Sequence, residues 1–295
     1  MNEQLPPLTH LCQLRFCASL VFGVVLYACL PWAISLIALA QPAATPVKNA
    51  TAPFAHEEVL RYSVHWSFVR LGSIELRQSL KKTANGNGAV VQLSARSASG
   101  LPFIDVNIRD RAVLDPGDPR CVEFTVRKEH EPAVTKKYAF DRETRTLSVE
   151  VREARQPPVR QQRTEKRDFY DALGMIMLLR GLAGSGQQIT VPMLMDFEIV
   201  HSRAECSREI EEVDVPAFDE DVPAYRIALR SSWEDESIGG LGGDIDFWCS
   251  ADEAAIPLRA EMDLTLGSIV IELESCKRPG WKQRASADLG KGGAR

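Results

Sequence analysis

Four histidines, His56, His65, His130 and His201, and four cysteines, Cys121, Cys206, Cys249 and Cys276, lie beyond position 40 and could in principle hold a metal, move a proton or attack a carbonyl. No two of these histidines stand four residues apart, the spacing that sets two imidazoles on one helix face, so the sequence predicts no metal site. His65 and His201 fall on the polar side of alternating runs, where a histidine is simply solvated. Gly184-Ser185-Gly186 is the nearest approach to a nucleophile elbow, but it follows a helical stretch and lacks the strand-to-helix context. Gly239-Gly240-Leu241-Gly242-Gly243 lacks the spacing and the lysine of a phosphate cradle and reads as a hairpin loop. Asp244 and Asp246 could share a strand face as a carboxylate pair for glycoside chemistry, an arrangement that any solvated strand also presents. No catalytic residue and no cofactor is assigned.

Residues 16–40 read FCASLVFGVVLYACLPWAISLIALA, without a charge, after Arg15. Small residues at Ala38 and Ala40 fit signal-peptidase cleavage, so the expectation is export to the periplasm or envelope with release after Ala40. Two alternatives stand beside it. About 20 apolar residues span a bilayer, so residues 16–40 could stay as an inner-membrane anchor. Cys29 could also carry a lipid, although Tyr27 fits a lipoprotein box poorly. In an oxidising compartment the even number of remaining cysteines permits disulfides without choosing among the three pairings; one disulfide, if any forms, is expected to involve Cys249 or Cys276, against free half-buried thiols. The formal charge of −5, from 35 basic and 40 acidic residues, offers no basic field and excludes nucleic acid as a partner.

The elements that must position any site follow from periodicity. Leu60, Tyr62, Val64 and Trp66 alternate with polar residues from Glu58 onward, the period of a half-buried strand. Six further runs, 73–80, 89–98, 106–114, 121–129, 135–140 and 146–152, make an antiparallel meander, with Arg70-Leu71-Gly72 and Asn85-Gly86-Asn87-Gly88 as turns. Residues 155–167 read as a solvated basic loop. A helix is predicted over 168–182 with Asp168 as N-cap, and its interior is apolar on all sides, so it must be buried. Strands resume at 188–192, 197–203, 206–213 and 224–233, and Leu258 to Leu266 with Ile269 to Leu273 form a last hairpin. The predicted fold is mainly β: an antiparallel curved sheet or open half-barrel with one buried apolar helix. Residues 41–56 form a linker, 57–276 a single domain and 277–295 a disordered basic tail.

Glu58-x-Leu60-x-Tyr62-x-Val64-x-Trp66 with Leu71-Gly72, Asp171-x-Leu173 with Leu179-Arg180, Phe247-Trp248-Cys249 and Pro257-Leu258-Arg259-Ala260-Glu261 together resemble the bacterial exported family DUF3108 over nearly the whole chain after the leader. The resemblance implies an exported, β-rich, single-domain protein and brings no catalytic residue with it.

A half-barrel around an apolar helix can hold an apolar chain, as open-barrel lipid carriers do by analogy of fold. The expected function is non-catalytic binding of a lipid or other amphiphile, with Tyr62, Trp66, Met175, Met177, Met262 and Leu264 lining the site. An envelope enzyme acting on glycan or lipid and a protein-binding scaffold are the alternatives.

Overall fold

The computed structural model describes residues 52–282 apart from 55, 84–85, 102–104, 116, 130–131, 232–243 and 264–266. One meander comprises β1 (Glu58–Trp66), β2 (Val69–Thr83), β3 (Gly86–Ser97), β4 (Asn107–Asp115), β5 (Asp118–Lys128), β6 (Val134–Asp141), β7 (Thr146–Glu153) and β8 (Val159–Thr164). After helix α1 (Ala172–Leu182), a second comprises β9 (Gln188–Met195), β10 (Glu198–Val213), β11 (Val222–Ser231), β12 (Ile245–Ser250), β13 (Pro257–Asp263) and β14 (Ser268–Lys277). First and last strands pair antiparallel, Tyr62 opposite Leu273 and Val64 opposite Ile271, which fuses the meanders into one open 14-stranded sheet whose edges are β8 and β9.

Helix α1 is apolar on every side because it is covered on more than one. Leu173 and Met177 pack with Leu60, Leu114, Phe124 and Phe140 of the first meander. Met175, Leu178, Leu179 and Leu182 pack with Val191, Met193, Ile227 and Leu229 of the second. The helix starts three residues later than the sequence predicts. Its N-cap is Asp171, whose Oδ1 accepts from the Leu173 and Gly174 amides at 2.9 and 2.8 Å. Asp168 instead receives Arg120 and Arg145, each at 2.6 Å, because a half-buried carboxylate between two arginines has better partners than a helix end.

Gly174 is a packing requirement. A Cβ there would stand 2.3 Å from the Pro119 carbonyl oxygen, so Gly174→Ala should destabilise the fold by about 1–3 kcal/mol through overpacking, against the helix preference for alanine. A urea titration checks the sign. A gain in stability would show that Pro119 yields.

Several boundaries differ from the sequence reading. Arg70-Leu71-Gly72 lies inside β2, and the turn is Ser67-Phe68. Glycine is needed at 72 because a Cβ would stand 2.2 Å from the Arg96 carbonyl oxygen of β3. The runs 197–203 and 206–213 merge, from Glu198 on, into one strand, β10, whose pairing with β11 is irregular between Cys206 and Ile210. The basic loop contains β8, which pairs with β7 alone and buries no apolar face, so no alternation reveals it. Packing extends past both expected domain limits. Phe54 is buried, Arg278 is buried, and the Trp281 ring lies 5.6 Å from that of Phe218. The leader, the Gly239–Gly243 segment and His130 lie outside the described residues.

Candidate functional site

The five described residues among the six expected to line an apolar site do not converge on one place. Tyr62 and Met177 share the first core, with the Tyr62 hydroxyl donating to the Pro257 carbonyl at 3.1 Å, whereas Met175 belongs to the second core. Met262 is buried outside both cores. Trp66 is 41% exposed, because the β1–β2 register shifts between Val64 and His65 and the period of two cannot be carried past the irregularity. Leu264 lies outside the described residues. Between helix and sheet the space is filled by Leu173 and Met177, which are almost wholly buried.

Neither Cys249 nor Cys276 is in a disulfide, and all four described cysteines are free. Cys249 is on β12 and Cys276 on β14, with β13 between them. Two inter-strand steps of about 4.8 Å exceed the roughly 7 Å Cα separation a disulfide tolerates. Asp246 accepts from Arg226 and Arg230 at 2.8 and 2.9 Å, and Asp244 stands 3.7 Å from Arg230, so these carboxylates make surface ion pairs.

Periodicity did not single out two clusters of charge, one built into the core and one half-buried at its border. The first joins Glu58, Arg180 and Arg278. The Arg180 guanidinium pairs with both Glu58 oxygens and donates to the Ala254 and Ala255 carbonyls, each at 3.0 Å. Arg278 donates to Glu58 Oε2, which it shares with Arg180, at 2.6 Å and to the Pro53 carbonyl at 3.3 Å. With the donors satisfied and every partner buried, this is a clamp on the helix end, the β12–β13 loop and both ends of the domain.

The second cluster borders a cleft of about 50 Å³ between β4, β5, β6, the start of α1 and the end of β9. Its rows follow the sheet register. Asp110, Val126 and Lys136 lie in line across β4, β5 and β6, with the Phe124–Tyr138 pair on one side and Lys128–Val134 on the other. The Phe124 and Tyr138 rings are 6.0 Å apart. Leu194 and Met195 face them from β9. At the outer end Lys136 pairs with Asp196, to which the Tyr138 hydroxyl also donates at 3.4 Å. Asp196 and Phe197, both with positive φ, form the two-residue turn to β10, and the Arg163 guanidinium sits 5.1 Å from the Phe197 ring.

At the inner end, Oδ1 of Asp110 is buried without a hydrogen-bond partner. Burial first, and the neighbouring Asp171 charge second, push the Asp110 carboxyl up to about 7. Asp171 is pushed up to about 6, chiefly by burial; its Oδ2 also lacks a partner, while the Cys121 thiol hydrogen-bonds the carboxyl. Asp171 is spent on capping the helix, so Asp110 is the carboxylate left to meet a ligand. The grouping offers apolar walls, two ammonium groups and one under-partnered carboxylate, which suits recognition better than bond-breaking.

Among known structures, a β-barrel-like protein of domain of unknown function DUF1849 from Brucella abortus is similar in fold, with TM-score 0.50 and 12% identity over 75% of this chain and 97% of that one. An exported-protein candidate with YmcC-like fold from Bacteroides fragilis aligns over 75% of this chain and 95% of that one, at TM-score 0.31 and 9% identity. No curated protein matches the chain. The sequence model of the protein family of unknown function DUF3108 matches residues 61–274. The clamp, the helix and the sheet built on the β1–β14 seam all fall within or against that span, and the chain belongs to the DUF3108 family.

Proposed function

We propose that this chain is an exported envelope protein that binds an amphiphilic molecule without transforming it, and that the cleft beside Asp110 is the recognition site. The observation that carries this reading is the cleft lining: Phe124, Val126, Val134, Leu194 and Met195 supply apolar surface and Lys128 and Lys136 supply charge. In this reading the site is bounded by β4, β5, β6, the end of β9 and only the first residue of the helix, Ala172, and not by Tyr62, Trp66, Met175, Met177 or Met262. At about 50 Å³ it accommodates a small polar-headed group; an acyl tail would lie outside it. Export rests on the apolar run Phe16–Ala40. Among the described residues no helix is long and apolar enough to cross a membrane. The filled space around Met177 favours a second reading, a partner-binding scaffold.

Native mass spectrometry of protein taken from its own envelope tests these readings together. The expected spectrum shows a chain that begins after Ala40 and carries a non-covalent amphiphile, which Phe124→Asp removes. An intact leader in the membrane fraction would replace release by anchoring. Clean apo protein that also ignores added lipid would leave the scaffold reading.

A further inference from the structure

Asp110 and Lys128 face the same side of the sheet on neighbouring strands. Asp110 is opposite Val126, so Lys128 is its diagonal neighbour, at a Cα separation of about 7–8 Å. One is a carboxylate with a buried oxygen that accepts nothing; the other is a cation beside the same cleft. Between them the wall is Val126, flanked by the Phe124–Tyr138 aromatic pair. We propose that the cleft binds a phosphoethanolamine-type zwitterion, its primary ammonium on Asp110 and its phosphate on Lys128, which deepens the amphiphile reading and rests on it.

The chemistry selects this class over others. An unpartnered buried acceptor asks for a donor, and a primary ammonium brings three N–H groups with a positive charge; a quaternary ammonium would bring the charge without the donors. Burial first and the Asp171 charge second disfavour the charged carboxylate, and Lys128 offsets them only in part, so a second cation in the cleft adds to a compensation that one lysine leaves incomplete. Aromatic faces at Phe124 and Tyr138 favour a cation beside them. Lys136 is engaged with Asp196, which leaves Lys128 to meet an anion. A two-carbon bridge between ammonium and phosphate suits both the short span and the small volume. The headgroup could belong to a lipid or to a free glycerophosphodiester.

Calorimetry on full-length protein tests this with sn-glycero-3-phosphoethanolamine against sn-glycerol 3-phosphate, which lacks the ammonium. The first should bind at least tenfold more tightly, and Asp110→Asn should abolish the preference while leaving the fold intact. Lys128→Gln should weaken both compounds by a similar factor. Equal binding of the two compounds, or a preference unchanged in Asp110→Asn, overturns the assignment. Pull-down on phosphatidylethanolamine against phosphatidylglycerol vesicles separates the sources. If a lipid co-purifies but shows no headgroup preference, the zwitterion inference fails and the amphiphile reading stands. If only the soluble diester binds, the zwitterion site stands and the amphiphile reading fails.

Discussion

Arg180→Met is expected to cost about 3–5 kcal/mol, the range for breaking a buried ion pair by removing one partner. Glu58 would face Arg278 alone, and the Ala254 and Ala255 carbonyls would lose their donor. For a domain of this size the loss should lower Tm by on the order of 10 °C. Arg180→Lys should recover only part of it, because one ammonium cannot span both Glu58 oxygens and two carbonyls as the planar fork does. Thermal and urea unfolding of the single variants and of the Glu58→Gln/Arg180→Met double variant measure the coupling. Additive losses would show that the two side chains act independently and that the clamp is no unit.

Asp110→Asn should stabilise the protein at neutral and higher pH and remove much of its pH dependence. A carboxyl whose folded-state pKa is raised to about 7 holds its proton more tightly in the folded chain than in the unfolded one. Its contribution is therefore neutral below the unfolded value near 4 and turns progressively unfavourable as pH rises through the window up to about 7. Asp171, pushed to about 6, acts with the same sign. A shift of this size corresponds to a few kcal/mol at full burial; solvent access through the cleft reduces the expected gain to about 1–2 kcal/mol at pH 8. Urea midpoints at pH 5 and pH 8 decide it. The unsubstituted protein should be the less stable at pH 8, and a larger loss at pH 5 would reverse the sign of the argument.

Much of the sheet was legible because seven runs of alternating residues have nothing else to become. The all-round apolar interior of α1 likewise required burial on more than one side, and it has it. The candidate site was less legible. Extending the period of two from Leu60 and Tyr62 to Trp66 failed at a register shift, which leaves no mark on hydrophobicity. Helical spacing could not say that Met175 and Met177 face different cores. A usable signal was nonetheless present. Glu58 shares the parity of Leu60 and Tyr62, Asp110 that of Ala112 and Leu114, and Arg180 interrupts an apolar helix. Charges in register with a core face are costly unless partnered, so each marks a buried partner or a ligand. The edge strand β8 gave no such signal, since its pairing is all backbone.

The seam between β1 and β14 imposes an order on assembly. Every other pairing in the sheet is between neighbours along the chain, which can meet as soon as both are made. The seam and its clamp join residues as far apart as Glu58 and Arg278, separated by 220 positions. Whether the chain is delivered by the ribosome or through a membrane pore, β1 waits with one open edge until the last strand arrives, and an open edge is a template for wrong partners. Burial of Glu58 waits for the same moment, because Arg278 follows β14 directly. The final residues of the domain thus act as the closing stitch of the fold, and truncation just short of them leaves a long chain that has everything except its fastening.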